Sequence, residues 1–403
     1  MAVRKHLVLA LCYFLVAALL GVLLRLFVVA PVGVPYKYLV HTHSHIALLG
    51  WVYLAITTIL FGIYLNTPQN TQRYHYLFWF TQLTLIGMLV TFPIQGYALF
   101  SIIFSTLFLF ASYWYFWFFL RFSPPEVKNT PAAKCIRYGL WYMAISSLGP
   151  WALGAIMSTL GSTSIWYRLA IYFYLHFQYN GWMIMALLGL LFYIMHKAGH
   201  PISKPTFQRI LWSANFGIIL SFFLSTLWIK PHWSFNILGA IGALSQLIAF
   251  LWTLQWLFKV KGQKSQTRRP SFLGKILLVV LLLKLGLQLA SAHPDVAQLA
   301  ATALDFTIGY LHLVFLGVIT IGIFMVVRHL GWLRLSSFAI GFYLLGFLLT
   351  EVLIFYRGFA AWLGLGVPPK YTELLIAASG SVVVGVIGIV FDNTILKQSK
   401  IRN

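Results

Sequence analysis

The chain has 403 residues, 61% of them hydrophobic and 8% charged, with a formal net charge of +22. A soluble globular chain carries about 25% charged residues, so this composition excludes a water-covered fold, and its apolar mass excludes disorder. The 28 Lys+Arg against 6 Asp+Glu lie between long apolar runs, which points to a basic cytoplasmic face on a polytopic membrane protein and away from nucleic acid.

A membrane-spanning helix needs about 20 mostly apolar residues. Twelve such stretches are predicted, over roughly 7–29, 39–64, 76–96, 98–120, 136–158, 167–195, 207–229, 235–258, 272–291, 302–327, 335–356 and 372–395. The first lacks a clear small-x-small cleavage site and runs straight into the next hairpin, so it reads as a span and not as a signal peptide. With the N-terminus inside, 21 of the 28 basic residues fall in cytoplasmic segments and 5 (Lys37, Arg168, Lys230, Arg357 and Lys370) in outer ones. Arg25 and Lys284 complete the count within spans. This asymmetry implies an even number of spans with both termini cytoplasmic, as in a bacterial inner-membrane protein. The basic run at 259–275 is then a topology determinant, with lipid or nucleic-acid binding as its other reading. Cys12 and Cys135 stand far apart and form neither a disulfide framework nor a CxxC metal site.

Three spans share a pattern. The second carries His45, four residues and Gly50; the sixth carries His176 and Gly181; the tenth carries His312 and Gly317. The histidines are 131 and 136 residues apart, about a third of the chain. The expectation is an all-α bundle of about twelve transmembrane helices with a pseudo-threefold, 3 × 4 helix repeat. It forms a single integral membrane domain over 1–403, with repeats at about 1–130, 131–265 and 266–403. All three histidines fall about 6 to 11 residues from the outer end of their spans, roughly 9–16 Å deep at 1.5 Å per residue. An imidazole facing lipid is costly, so each is expected to face the interior.

Histidine ligates metals and haem. Two imidazoles from facing helices suit a bis-His haem, and Gly50 and Gly317 suit close approach of a macrocycle. The second span opens His41-Thr42-His43-Ser44-His45, with His41 and His45 on one helical face and His43 roughly opposite. A copper or zinc site with His41 and His45, or a second cavity at His43, follows; solvated interfacial histidines are the plainer alternative. Lys284, Asp305 and Glu351 lie within or near spans, where charges are costly and usually paired. Lys284 is expected to reach Asp305 or Glu351, as a proton path, a quinol site or a register-fixing ion pair. Arg357 is a candidate for binding a carboxylate, with a snorkelling arginine as the alternative. The aromatic run 113–119 reads as an interfacial belt. Gln95, Gln178 and Asn180 either bond between helices or line a cavity.

The stretch His43-Ser44-His45-Ile46-Ala47-Leu48-Leu49-Gly50 resembles the H-x-H-x-x-L-x-G stretch of the NnrS family, twelve-span haem and copper proteins linked to nitric oxide tolerance. His312 and Gly317 look like that family's late His-x4-Gly. More broadly, twelve spans with histidines on the second and tenth resemble heme-copper oxidase subunit I, which has threefold pseudo-symmetry, outer-half haems and propionate-binding arginines between its eleventh and twelfth spans. The chain departs from the oxidases in three places. Its seventh span has no histidine, His232 lying just beyond it. His312 stands alone on the tenth, with His329 at the inner end. Asn180 occupies the place of a tyrosine, with Tyr179 one residue short.

The resemblance implies a haem-binding membrane protein in respiratory electron transfer or in nitric oxide or dioxygen handling. His45 and His312 are the expected axial ligands of a b-type haem, and Arg357 the expected propionate partner. His176 with His41 or His43 is expected to serve a second metal, copper. Quinol or another electron donor is the expected partner besides the lipid bilayer. An oxidoreductase activity is open, since the seventh-span His pair is missing. A transporter or channel with a His-lined path, and an assembly factor for a respiratory complex, are the alternatives.

Overall fold

A computed structural model describes residues 2–262 and 271–394. Within them every regular element is helical, and twelve helices are long and apolar enough to cross a membrane. The protein is an all-α polytopic membrane bundle. The helices run Val3–Leu26, Tyr36–Tyr64, Pro68–Gln95, Leu99–Phe122, Pro131–Thr159, Ile165–Lys197, Lys204–Ile229, Ser234–Val260, Phe272–Ala290, Leu304–His329, Ser337–Trp362 and Tyr371–Thr394. Each overlaps the stretch expected at its place. Capping moves the ends outward: the third begins at Pro68, where the Thr67 side chain accepts from the Asn70 amide and proline fits the first turn. Of the basic residues expected on the cytoplasmic side, Lys264, Arg268, Arg269, Lys397, Lys400 and Arg402 lie outside the described residues, and with the first three goes the middle of the 259–275 run.

The three histidine spans share a feature that the sequence pattern does not announce. Each changes to a π-helix at the residue after its histidine: Ile46–Tyr53, Phe177–Met183 and Leu313–Thr320. A π turn bonds residue i to i+5, which is the spacing from each histidine to its glycine. On an α-helix five residues turn the chain to about 140° from the starting face; in a π turn the two positions stack.

The chain divides into two compact units, Met1–Pro124 with Ile323–Asn403, and Pro125–Gly322. The 131–265 repeat lies within the second unit, whereas 266–403 is divided in the tenth span. In the first unit the first span packs on the second and twelfth, the third pairs with the fourth, and the eleventh with the twelfth. In the second unit the fifth packs on the sixth, the seventh pairs with the eighth, and the ninth packs on the π segment of the tenth. An opening helix against the histidine helix thus recurs three times, as does a closing hairpin.

Small residues set these contacts. A Cβ at Gly346 or Gly385 would come within 2.5 Å of the backbone nitrogen of Val382 or Tyr343, so the eleventh and twelfth helices touch backbone to backbone. The histidine-span glycines seat tyrosines from the opening helices: a Cβ at Gly50 would stand 2.9 Å from Tyr13 Cβ, and one at Gly181 2.6 Å from Tyr142 Cβ. The close approach that Gly50 permits is therefore to the first span. The aromatic run at 113–119 divides by helical face: Tyr115, Phe118 and Phe119 are buried in the first unit, and Trp114 and Trp117 are exposed. Exposed apolar side chains such as Ile94, Trp212 and Val352 suit contact with hydrocarbon.

Replacing Gly346 or Gly181 by alanine should lower stability by about 1–3 kcal/mol through overpacking, with Gly346 the worse because backbone cannot yield. Gly154→Ala, with no atom within 4 Å of the new Cβ, should be neutral. Thermal unfolding in detergent measures all three.

Candidate functional site

In the first unit the helix Tyr36–His45 sets the second-span histidines on two faces. His45 Nδ1 lies 2.8 Å from the His41 carbonyl oxygen. A carbonyl only accepts, so Nδ1 carries the proton and Nε2 is the basic nitrogen. Nε2 accepts from the Tyr97 hydroxyl at 3.1 Å. The half-buried ring lies 4.5 Å from Phe92 between centroids, and His41 stands edge-on to Tyr97, also at 4.5 Å. His43 faces the other way, towards the first span. Its Nδ1 donates to the Ala17 carbonyl at 2.9 Å, and its Cε1 would lie 3.3 Å from a Cβ on Gly21. Both His43 and His45 thus hold a backbone carbonyl through Nδ1, which leaves Nε2 as the basic nitrogen. Metal-bound histidines are oriented in this way.

Beyond His43 lies a charged cluster. Arg25, in the last turn of the first span, is within electrostatic reach of His43, Glu351, Arg357, Tyr371 and Tyr36. The Arg357 guanidinium stands 5.6 Å from the centre of the Tyr371 ring, and the Tyr371 hydroxyl donates to the Leu353 carbonyl at 3.0 Å. Glu351 is 6% exposed, and neither carboxylate oxygen has a hydrogen-bond partner among the described residues. Arg25 Nε is likewise buried without an acceptor. The sequence placed Arg25 only within the first span, with no role, and Glu351 was expected to meet Lys284, so this juxtaposition of two guanidiniums and one carboxylate was not foreseen.

The second unit holds a different arrangement. His176 Nε2 donates to the Ile218 carbonyl at 2.8 Å, and Nδ1 receives the Asn180 side-chain amide at 3.3 Å. Asn180 Oδ1 in turn accepts from Lys284 Nζ at 2.6 Å. The same ammonium donates to Gln288 Oε1 and, at 3.5 Å, to Gln246 Oε1. Gln246 reaches on to Ser221 Oγ at 2.6 Å, and the Tyr310 hydroxyl donates to Gln288 Oε1 at 3.4 Å. Amide oxygens therefore stand where a carboxylate partner for Lys284 is expected. Asp305 lies in the first turn of the tenth span, where the helix dipole favours an anion. His312 is half-buried and immediately precedes the third π segment.

The uncharged polar residues bond between or within helices. Gln178 donates to Ser146 at 2.9 Å, and Gln95, with its amide turned to accept, caps the fourth span through the Phe100 and Ser101 amides at 2.9 Å. Tyr97, Gln246, Gln288 and Tyr310 carry no marking in the sequence reading. Two signals were available: Gln288 is four residues after Lys284, and Asn180 four after His176, the spacing of one helical face.

Among the described residues no group of three or more His, Cys, Asp or Glu side chains is placed to hold a metal ion alone. No protein-family model matches the chain, and no curated protein matches it.

Asn180→Leu should remove an acceptor from a buried ammonium and lower stability by roughly 1.5–3 kcal/mol. Asn180→Asp, which keeps an oxygen towards Lys284, should cost less. Thermal unfolding of the two variants side by side measures the difference.

Proposed function

We propose that this chain is a haem-binding integral membrane protein of the heme-copper oxidase-like superfamily, with His45 and His312 as axial ligands of a b-type haem. Its work is respiratory electron transfer or the handling of nitric oxide or dioxygen, in a bacterial inner membrane with both termini cytoplasmic. Quinol or a similar donor supplies the electrons.

The observation that carries the reading is the state of the second-span imidazole. The His41 carbonyl holds the proton on His45 Nδ1, and so Nε2 is offered as a base with the ring already oriented. The donor set suits haem iron: an anchored imidazole at His45, and His312 at the equivalent π-helix junction. A bound haem supplies a one-electron couple at its iron. The chain's own part is to orient Nε2 of His45, to move the Tyr97 hydroxyl away from it, and to meet the propionates with Arg357 and the neighbouring Arg25. A second metal, copper, falls to His41 or to His43, which stand on different faces of the second span. His176 is not counted among the ligands, because the Ile218 carbonyl holds its Nε2 proton and its Nδ1 faces the buried amide that braces Lys284.

Purified protein should show a Soret band and contain iron. His45→Ala and His312→Ala should each cut haem occupancy about tenfold or more, at least as much as loss of an outer-shell partner does. His176→Ala should keep the haem. A colourless, iron-free protein would overturn the proposal and favour a transporter.

A further inference from the structure

Lys284 is 0% exposed in the middle of the ninth span. An ammonium has three protons, and all three go to side-chain amide oxygens, of Asn180, Gln288 and Gln246. Those oxygens replace the hydration shell without cancelling the charge. None of the bonds goes to a carboxylate, in a chain that has only 6 acidic residues. A single cation in a hydrocarbon interior is expensive to keep, and the expense falls when negative charge arrives nearby, because Coulomb attraction is strong where the dielectric is low. The ammonium is also held close to one particular segment. The ninth span packs on the π segment that follows His312, and Gln288, which takes one ammonium proton, also takes the hydroxyl proton of Tyr310, two residues before His312.

We propose that Lys284 is a positioning residue, a fixed positive charge that raises the reduction potential of the haem held by His312 and so favours electron arrival there. This rests on the haem reading above. The amide cage holds the ammonium in place: Asn180 is braced by His176, Gln246 by Ser221 and the Gly217 carbonyl. The histidine of the second repeat thus supports the electrostatics of the third.

Redox titration of the haem absorption in purified protein tests it. Lys284→Met removes the charge and should shift the midpoint potential downward. Gln288→Glu is nearly isosteric, places a carboxylate beside the ammonium and should shift it the same way if Lys284→Met does not fold. Lys284→Arg, which keeps the charge, should stay closer to wild type than Lys284→Met. A haem protein whose potential ignores both Lys284→Met and Gln288→Glu overturns this inference and leaves the haem reading standing. Wild-type protein without a Soret band overturns both.

Discussion

Inside a bilayer there is no water to satisfy a backbone amide or carbonyl, so each must find its partner within the chain. The rest of this structure follows from how three helices meet that demand at one recurring place. After His45, His176 and His312 the backbone bonds are still made, but to the residue five along instead of four. The wider turn brings each glycine under its histidine. In the first two repeats it also opens a seat for a tyrosine of the opening helix, Tyr13 on Gly50 and Tyr142 on Gly181. Helix spacing and histidine direction at these places are therefore one feature, and π turns of this kind concentrate at functional sites.

The same position is put to different uses in different repeats. At His45 a backbone carbonyl takes the Nδ1 proton and leaves the outer nitrogen basic. At His176 the protonation runs the other way: Nε2 gives its proton to Ile218, and Nδ1 faces the amide that braces Lys284. One imidazole turns its basic nitrogen to a tyrosine hydroxyl, and the other is absorbed into a buried polar network. A repeat in sequence thus marks equivalent geometry without fixing equivalent chemistry.

Much of the fold was legible because spanning helices are written in composition. Twelve apolar stretches and their order could be read directly, and errors were confined to ends such as Pro68, where a threonine cap and a proline extend the helix past its apolar window. The opposite facing of His43 and His45 followed from helical angles. The π register was hidden, since segments such as Ile46–Tyr53 are apolar all round and no periodicity separates i+4 from i+5. Only the fivefold His-to-Gly spacing hinted at it. The role of Gly50 was misplaced because a missing Cβ shows that something comes close, not what, and here the neighbour is Tyr13. The amide partners of Lys284 went unforeseen because charge in a membrane suggests an opposite charge, whereas Asn180, Gln246 and Gln288 are individually unremarkable polar residues. The aromatic run at 113–119 read as a belt because aromatics serve cores and interfaces alike; only packing separates Tyr115 from Trp117.

The central claim is that imidazoles oriented at the π-helix junctions hold a haem through two histidines. Near-infrared magnetic circular dichroism of the oxidised protein addresses it most directly, because its charge-transfer band reports the pair of axial ligands. A bis-imidazole signature is expected, lost when His45 or His312 is replaced and kept when His176 is. A signature of any other ligand pair in the wild-type protein would contradict it.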